Sequence, residues 1–451
     1  MDIKSLNRNN QLGKINYFKI IFLIILLGST RIIKAQEQFS LNDLVTMALN
    51  ENYDIRIVQN EEAITTNNNT YGMAGFLPSI GITGEIATSY NNTFTRLYSG
   101  DTRVGDNARN NALNAYAEIN WVIFDGLSMF ARKNQLELLE QMGALQTRYY
   151  IEQTITDLAK AYYQLVLQRQ LLRNYQESFE ISSFRRNLEQ RRLQIGSGTG
   201  LQSRQAIVDY NNDSAILINQ KAVIKSLELQ LNKLINRPLE SPLIPSTEQI
   251  TLDDLENKAD LLNHALQNNQ QVQNAYLEEL LAEATYREER GSRFPEVSLF
   301  GNYAYSRQTS EVGISELNRN YGPQVGIRVR FNLYNGNQQN IQIRNSRIQN
   351  QIAGIRKENV TQEVEALLLD AFNQHEALQD QVQLMRENLS TATEAMNIAR
   401  QQLAAGAING YDFRMTQLTL LEIQNNISNL LFEQKSREID IQRIIGALNY
   451  L

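Results

Sequence analysis

The run QVGIRVRFNL, Gln324 to Leu333, alternates along its length. Successive side chains of a strand point to opposite sides. Val325, Ile327, Val329, Phe331 and Leu333 therefore share one face, and Gln324, Arg328, Arg330 and Asn332 the other. Three further runs read alike. Ile80, Ile82, Ile86, Thr88 and Tyr90 oppose Ser79, Thr83, Glu85, Ala87 and Ser89. Ala115, Ala117, Ile119, Trp121 and Ile123 oppose Tyr116, Glu118 and Asn120. Val297, Leu299, Tyr303 and Tyr305 oppose Ser298, Asn302 and Ser306. One such strand fits a soluble half-buried sheet. Four in one chain, with no second apolar layer to cover them, fit barrel strands of an outer membrane, which cross in about 9–11 residues. Tyr90, Trp121, Tyr303, Tyr305 and Tyr334 suit the aromatic girdles at the interfaces.

Outward from the strands, the chain says nearly the same thing twice. Pro78 and Pro295 lie 217 residues apart, as do Asn52 and Asn269. Asp125-Gly126 and Asn335-Gly336 are 210 apart, as are Gly196 and Gly406, Gly200 and Gly410, and Glu228 and Glu438. A constant offset broken once marks a duplicated unit with one loop of variable length. The loops assigned to that region are Asn91–Asn114 and Gln308–Asn320. The expected organisation is a signal peptide at 1–35, a first repeat at 36–237, a Pro-marked linker at 238–250 and a second repeat at 251–451. Ser40 with Asp43, and Thr251 with Asp254, read as capping boxes opening the two repeats. Asp125-Gly126 and Asn335-Gly336 resemble hairpin turns, but the helical sequence after each marks them as exits from strand to helix.

The long helical runs carry coiled-coil spacing. Leu378, Val382, Met385, Leu389, Ala392, Met396, Ala399 and Leu403 step alternately by four and three, as do Ile151, Ile155, Leu158, Tyr162 and Leu165. From about Leu127 to Ile195 no proline intervenes, enough for a rod of roughly 100 Å. Periodicity alone fits a plain coiled-coil spacer as well; the strands favour the membrane reading. Four strands cannot close a membrane barrel, since single-chain barrels need about eight or more. Open edges in lipid leave backbone groups unpaired, so closure falls to further copies of the chain.

Composition narrows the function. The chain has no cysteine and two histidines, His264 and His375, far apart in helix-like sequence. That removes a disulfide framework, a thiolate metal site and a cysteine nucleophile; no Walker-type glycine loop is present either. Acidic pairs Glu278-Glu279 and Glu288-Glu289 read as solvated helix faces rather than catalytic carboxylates. The sequence thus points to no enzyme and no cofactor. Lys4, Arg8, Lys14 and Lys19 precede an apolar core from Ile20 to Gly28, as in a secretory signal. Cleavage near Ala35 would take the formal charge from −6 to about −11, and an acidic exported protein is a poor nucleic-acid binder.

The order and spacing of these features, a strand hairpin and long helices twice over with Gly at matched tip turns, resemble the TolC-like outer-membrane efflux proteins from about Ser40 to Leu451. The resemblance implies a mixed α+β membrane protein: a homotrimer whose three hairpin pairs form a twelve-stranded barrel in outer-membrane lipid, above a periplasmic helical tunnel. It also implies a periplasmic adaptor and an inner-membrane pump as partners. The adaptor would meet the tip turns at Gly196, Gly198, Gly200, Gly406 and Gly410. Asp412, six residues after Gly406, takes the place of the family's acidic residue at the closed mouth; Gln202 stands there in the first repeat. A solvated Asp at a helix start is the competing reading. The family's latching Tyr and Arg are replaced by Leu403 and Ile408. In the barrel, Glu85, Glu118, Arg328 and Arg330 face the lumen, where the arginines either bias the pore toward anions or, the favoured reading, pair with Glu85 or Glu118.

Overall fold

The computed structural model describes residues 38–312 and 314–448, so the signal-peptide reading lies outside the described residues. β1 (Gln38–Phe39), α1 (Leu41–Glu51) and α2 (Tyr53–Asn68) lead into a hairpin of β2 (Ser79–Arg96) and β3 (Thr102–Phe124). There follow α3 (Ser128–Gln194, 67 residues) and α4 (Gly200–Leu234, 35 residues). After β4 (Ile244–Pro245) the series comes again: α5 (Lys258–Asn268), α6 (Gln270–Gly291), β5 (Glu296–Ser310), β6 (Leu317–Arg330), α7 (Gln338–Ala405, 68 residues) and α8 (Gly410–Ile444, 35 residues). At about 1.5 Å per residue, α3 and α7 are each rods of roughly 100 Å. No helix among the described residues is long and apolar enough to cross a membrane.

The strand-to-helix exits follow the sequence reading. Gly126 and Leu127 have φ of 73° and 72°, Gly336 and Asn337 of 69° and 65°. Asp125 Oδ1 accepts from Met129 N at 3.1 Å and Asn335 Oδ1 from Gln339 N at 3.4 Å. A Cβ at Gly126 would fall 2.1 Å from the carbonyl oxygen of Gly291, so this exit requires glycine.

The sheet is antiparallel in the order β2-β3-β5-β6. Its register gathers the apolar faces into continuous rows: Ile80–Ile119–Gly301–Val325, Ile82–Ala117–Tyr303–Pro323 and Trp121–Leu299–Ile327. The alternate rows are polar, Gly81–Glu118–Asn302–Gln324 and Glu85–Asn114–Ser306–Asn320. Ile80, Ile82, Ile86 and Val325 are 76–86 % exposed. The outer edges of β2 and β6 have no strand partner among the described residues.

The helices form a layer in which α2, α3, α6 and α7 lie side by side near the sheet, and α4, α3, α8 and α7 further away. The seams read from the sequence are there: Leu158, Tyr162, Leu165 and Leu403 are fully buried, with Val382, Met396 and Ala399 nearly so. Beneath the long helices, Asn52 caps α2 and Asn269 caps α6 through matched bonds, Asn52 Nδ2 to Leu234 O at 2.8 Å and Asn269 Nδ2 to Ile444 O at 2.9 Å. Each ties a short helix to the end of a long one.

Several expectations are corrected. The Ser40–Asp43 capping box forms, but Thr251–Asp254 makes none: residues 251–257 are neither helix nor strand and α5 is capped by Asn257. The segment is held instead by α8, since Asp253 N donates to Glu438 and Asp253 accepts from Lys435 at 3.0 Å. The stretch 91–114 is mostly strand, because Asn and Thr side chains bond across it, Thr88 to Asn111 at 2.9 Å and Asn107 N to Asn92 at 2.7 Å. Likewise β5 and β6 extend through much of 308–320, leaving a short turn. At the other end, β6 stops at Arg330, so Phe331 and Leu333 lie past the strand. Glu279 and Glu288 are interhelical tethers rather than solvated, to Lys357 at 2.6 Å and Arg132 at 2.7 Å.

Candidate functional site

The two tip turns are built alike. After α3, Gly196 takes φ 77° and the amides of Ser197 and Gly198 return to Arg192 O at 2.9 and 3.0 Å. After α7, Gly406 takes φ 77° and Ala407 N returns to Gln402 O at 2.8 Å. Glycine tolerates this left-handed geometry, which satisfies carbonyls the helix end leaves open. Thr199 caps α4 in a reciprocal box with Gln202. Asn409 caps α8, accepting from the amides of Tyr411 and Asp412, both at 2.9 Å.

The turns lie side by side. Arg192 Nη2 donates to Leu403 O at 2.5 Å, and a Cβ on Gly410 would lie 3.1 Å from the Arg185 guanidinium. Leu403 is buried with Phe413, Met396 and Ala399, and Ile408 packs against that cluster. Asp412 is exposed in the first turn of α8 and accepts from Asn409 Nδ2 at 2.9 Å. On the first turn Arg191 and Arg204 are exposed and without an ion pair among the described residues. One tip therefore presents cations, the other a carboxylate.

Just above the turns lies a polar seam that sequence reading missed. Asp213 of α4 takes a two-pronged bond from Arg414 of α8, both contacts 2.8 Å, and one from the Ser182 hydroxyl. Gln417 Nε2 donates to Ser178 O at 2.7 Å and Ser182 Oγ at 2.8 Å, while Arg185 pairs with Asp209 at 2.5 Å. Asp213 and Arg185 are almost fully buried, where removing one partner strands a charge. The signal was present: Asn174, Ser178, Ser182, Arg185 and Glu189 are buried on the α3 seam at helical three-and-four spacing, written in polar letters.

Farther up α8, Lys435 Nζ donates to Glu438 at 2.7 Å and lies 5.3 Å from the Tyr163 ring centre. Burial opposes charge on Lys435, yet the bond and charge of Glu438 hold its pKa above the usual lysine value. The same ammonium, by hydrogen bonding, holds Asp253 below the usual carboxylate range. Of the two histidines, His264 is exposed and His375 is buried with its Nε2 3.4 Å from Gln434 Nε2. No cluster among the described residues could hold a metal ion.

Within one chain the two arginines meet partners other than Glu85 and Glu118. Arg330 approaches Glu296, its direct cross-strand neighbour, at 3.6 Å, and Arg328 lies 4.7 Å over the Phe300 ring. Glu118 belongs to the row of Gln324, four residues from Arg328, or about 13 Å along the strand. Glu85 lies opposite Asn114.

Residues 261–447 match the family model described as outer membrane efflux protein. The second half of the chain is thus similar to the outer membrane efflux proteins. Among solved structures, VceC from Vibrio cholerae is 16 % identical with a TM-score of 0.74, covering 90 % of this chain and 96 % of that one. The CmeC channel of Campylobacter jejuni is 13 % identical, TM-score 0.75, covering 90 % and 85 %. The open MtrE channel of Neisseria gonorrhoeae is 14 % identical, TM-score 0.67, covering 90 % and 88 %. At these identities the structures share the fold. No curated protein matches.

Proposed function

We propose that this chain is the outer-membrane exit channel of a tripartite efflux or type I secretion system, passing solutes from a periplasmic adaptor and inner-membrane pump to the outside. The observation that carries the reading is the sheet: continuous apolar rows exposed on one face, polar rows on the other, and two open edges. Water would penalise such a face, and lipid would penalise such edges. Three copies closing β6 against β2 of the next give a twelve-stranded barrel that meets both demands. One duplicated unit, 36–237 and 251–451 joined by the 238–250 linker, supplies the two hairpins of each copy.

Beneath the barrel the helices continue as a tunnel across the periplasm. The adaptor meets its tips at Gly196, Gly198, Gly200, Gly406 and Gly410, and the Asp412 carboxylates of three copies converge on the mouth. Glu85, Glu118, Arg328 and Arg330 line the barrel. A coiled-coil spacer without a pore explains the helices but gives the exposed rows no solvent. In a test, purified protein added to a planar bilayer conducts ions without nucleotide, and cells hold it as heat-modifiable trimers in the outer-membrane fraction. Recovery as soluble periplasmic material that never conducts would leave the spacer.

A further inference from the structure

The apolar face of the sheet ends on a pair of like charges. Along β5 and β6 this face sets Val297, Leu299, Tyr303 and Tyr305 against Val329, Ile327, Pro323 and Tyr321, with no charge among them. Two residues past Tyr305 and Tyr321 the register places Arg307 directly opposite Arg319. Both are exposed, and neither makes an ion pair among the described residues. Side chains directly opposite in a ladder stand about 4.5–5.5 Å apart at Cβ, and like charges there destabilise the sheet. The matching rows of the first hairpin hold no such pair, since Ile86 meets Leu113 and Thr88 meets Asn111.

The carboxylates of the turn after β5, Glu311 and Glu316, pair with neither arginine; Glu311 Oε2 accepts instead from the backbone amide of Arg109 at 2.9 Å. Arg109 lies on the same face, opposite Tyr90, and adds a third exposed guanidinium, its Nε bonded to Asn111 at 3.1 Å.

Height indicates what meets the pair. Ten residues separate Val297 from Arg307, and Arg319 from Val329, which is about 33 Å along a strand. Tilted by about 40°, as barrel strands are, that length rises about 25 Å, the height of the apolar band. The pair therefore stands just past the band, at the end of the sheet away from the helices and next to tyrosines suited to the interface. Lipid headgroups surround a barrel at that height. A phosphate is the anion that fits: each guanidinium offers a planar fork to its oxygens. One phosphate between the two would cancel the repulsion that the ladder imposes.

We propose that Arg307 and Arg319 together hold the phosphate of a lipid headgroup in the leaflet away from the helices, one site per chain. The site rests on the membrane reading above and adds to it recognition of one class of lipid.

The probe is diphosphoryl lipid A, titrated onto full-length protein that has been extracted from outer membranes and stripped of lipid in detergent. Native mass measurement should count one tightly held lipid per chain, and dephosphorylated lipid A should bind about tenfold more weakly or worse. Arg307→Gln/Arg319→Gln should lose the preference for the phosphorylated lipid and, freed of the repulsion, melt no lower than the parent in lipid-free detergent. Arg356→Gln/Arg386→Gln, which removes the same charge from exposed positions of α7, should bind as the parent does. Equal uptake of the dephosphorylated lipid, or equal loss in the α7 variant, would overturn the site while leaving the channel. A lower melting point of the Arg307→Gln/Arg319→Gln protein without lipid would assign the arginines to holding the sheet instead. Inorganic phosphate that stabilises the protein as well as lipid A does, at equal concentration, would replace the lipid with a free anion. Recovery of the protein as soluble periplasmic material would overturn both the site and the membrane reading.

Discussion

The sheet and the helix layer of this chain are opposite in what they hide. The sheet displays its isoleucines and valines, Ile82 at 86 % and Val325 at 83 % exposure, and has no apolar core. The helix layer buries Asp213, Arg185, Lys435 and Glu438 among its aliphatics. The contrast follows from solvent. On the proposed reading, a face turned to lipid needs no cover, whereas a thin helical wall between two aqueous compartments must bury part of whatever its seam carries. Stability of the wall then depends on complete pairing of those charges, and stability of the sheet on keeping charge off one face.

Breaking the wall should have the largest effect. Lys435→Ala leaves Glu438 buried without its cation, and we expect about 3–5 kcal/mol of lost stability, read as a lowered thermal midpoint by far-ultraviolet circular dichroism. Lys435→Met/Glu438→Leu should lose much less. If the single and double variants melt alike, the cost is packing rather than charge.

The sheet is tested by neighbours on one strand. Ile82→Arg puts a cation on the lipid face at about 2–4 kcal/mol near the midplane and should block outer-membrane assembly. Thr83→Arg, on the lumen face, should assemble. Equal assembly would show that the faces have been assigned the wrong way round.

How legible all this was differs between the two regions. Period-2 alternation showed which side chains share a face, and the ladder keeps them together, because register and alternation reinforce one another. Strand length was not legible: Asn91 to Asn114 looks like loop by composition, and cross-strand Asn and Thr bonds make it strand. The apolar half of the wall was readable from Leu378 to Leu403. Its polar half was not, since Ser178, Ser182 and Arg185 are ordinary surface letters until Asp213 and Arg414 arrive from distant sequence. For the same reason the Thr251–Asp254 box misled: Lys435, far along the chain, competes for the segment.

Smaller effects sharpen the contrast. Asp253 has its pKa lowered by its bond from Lys435. Its contribution is therefore present above the unfolded carboxylate value, about 3.9, and is lost as pH falls through the lower folded value. Hydrogen exchange of residues 251–257 should accelerate in that acid window in the native protein, and be fast already at neutral pH in Asp253→Asn. Unchanged protection in the variant would mean that the Glu438 contact alone holds the strap.

Smallest in stability is Asp412→Asn, at most about 1 kcal/mol as a cap change. If three such carboxylates focus the field at the mouth, cation preference and block by multivalent cations should both weaken with the trimer intact. Unaltered selectivity would leave Asp412 as a helix-start residue alone.

The central claim is that this sheet is one part of a barrel that copies of the chain complete. Native mass measurement of the purified protein in detergent tests it most directly. The account predicts a species of three chains with both helix and strand, and no folded species of lower mass. A stable monomer retaining its strands, with the edges of β2 and β6 unpaired, would contradict it.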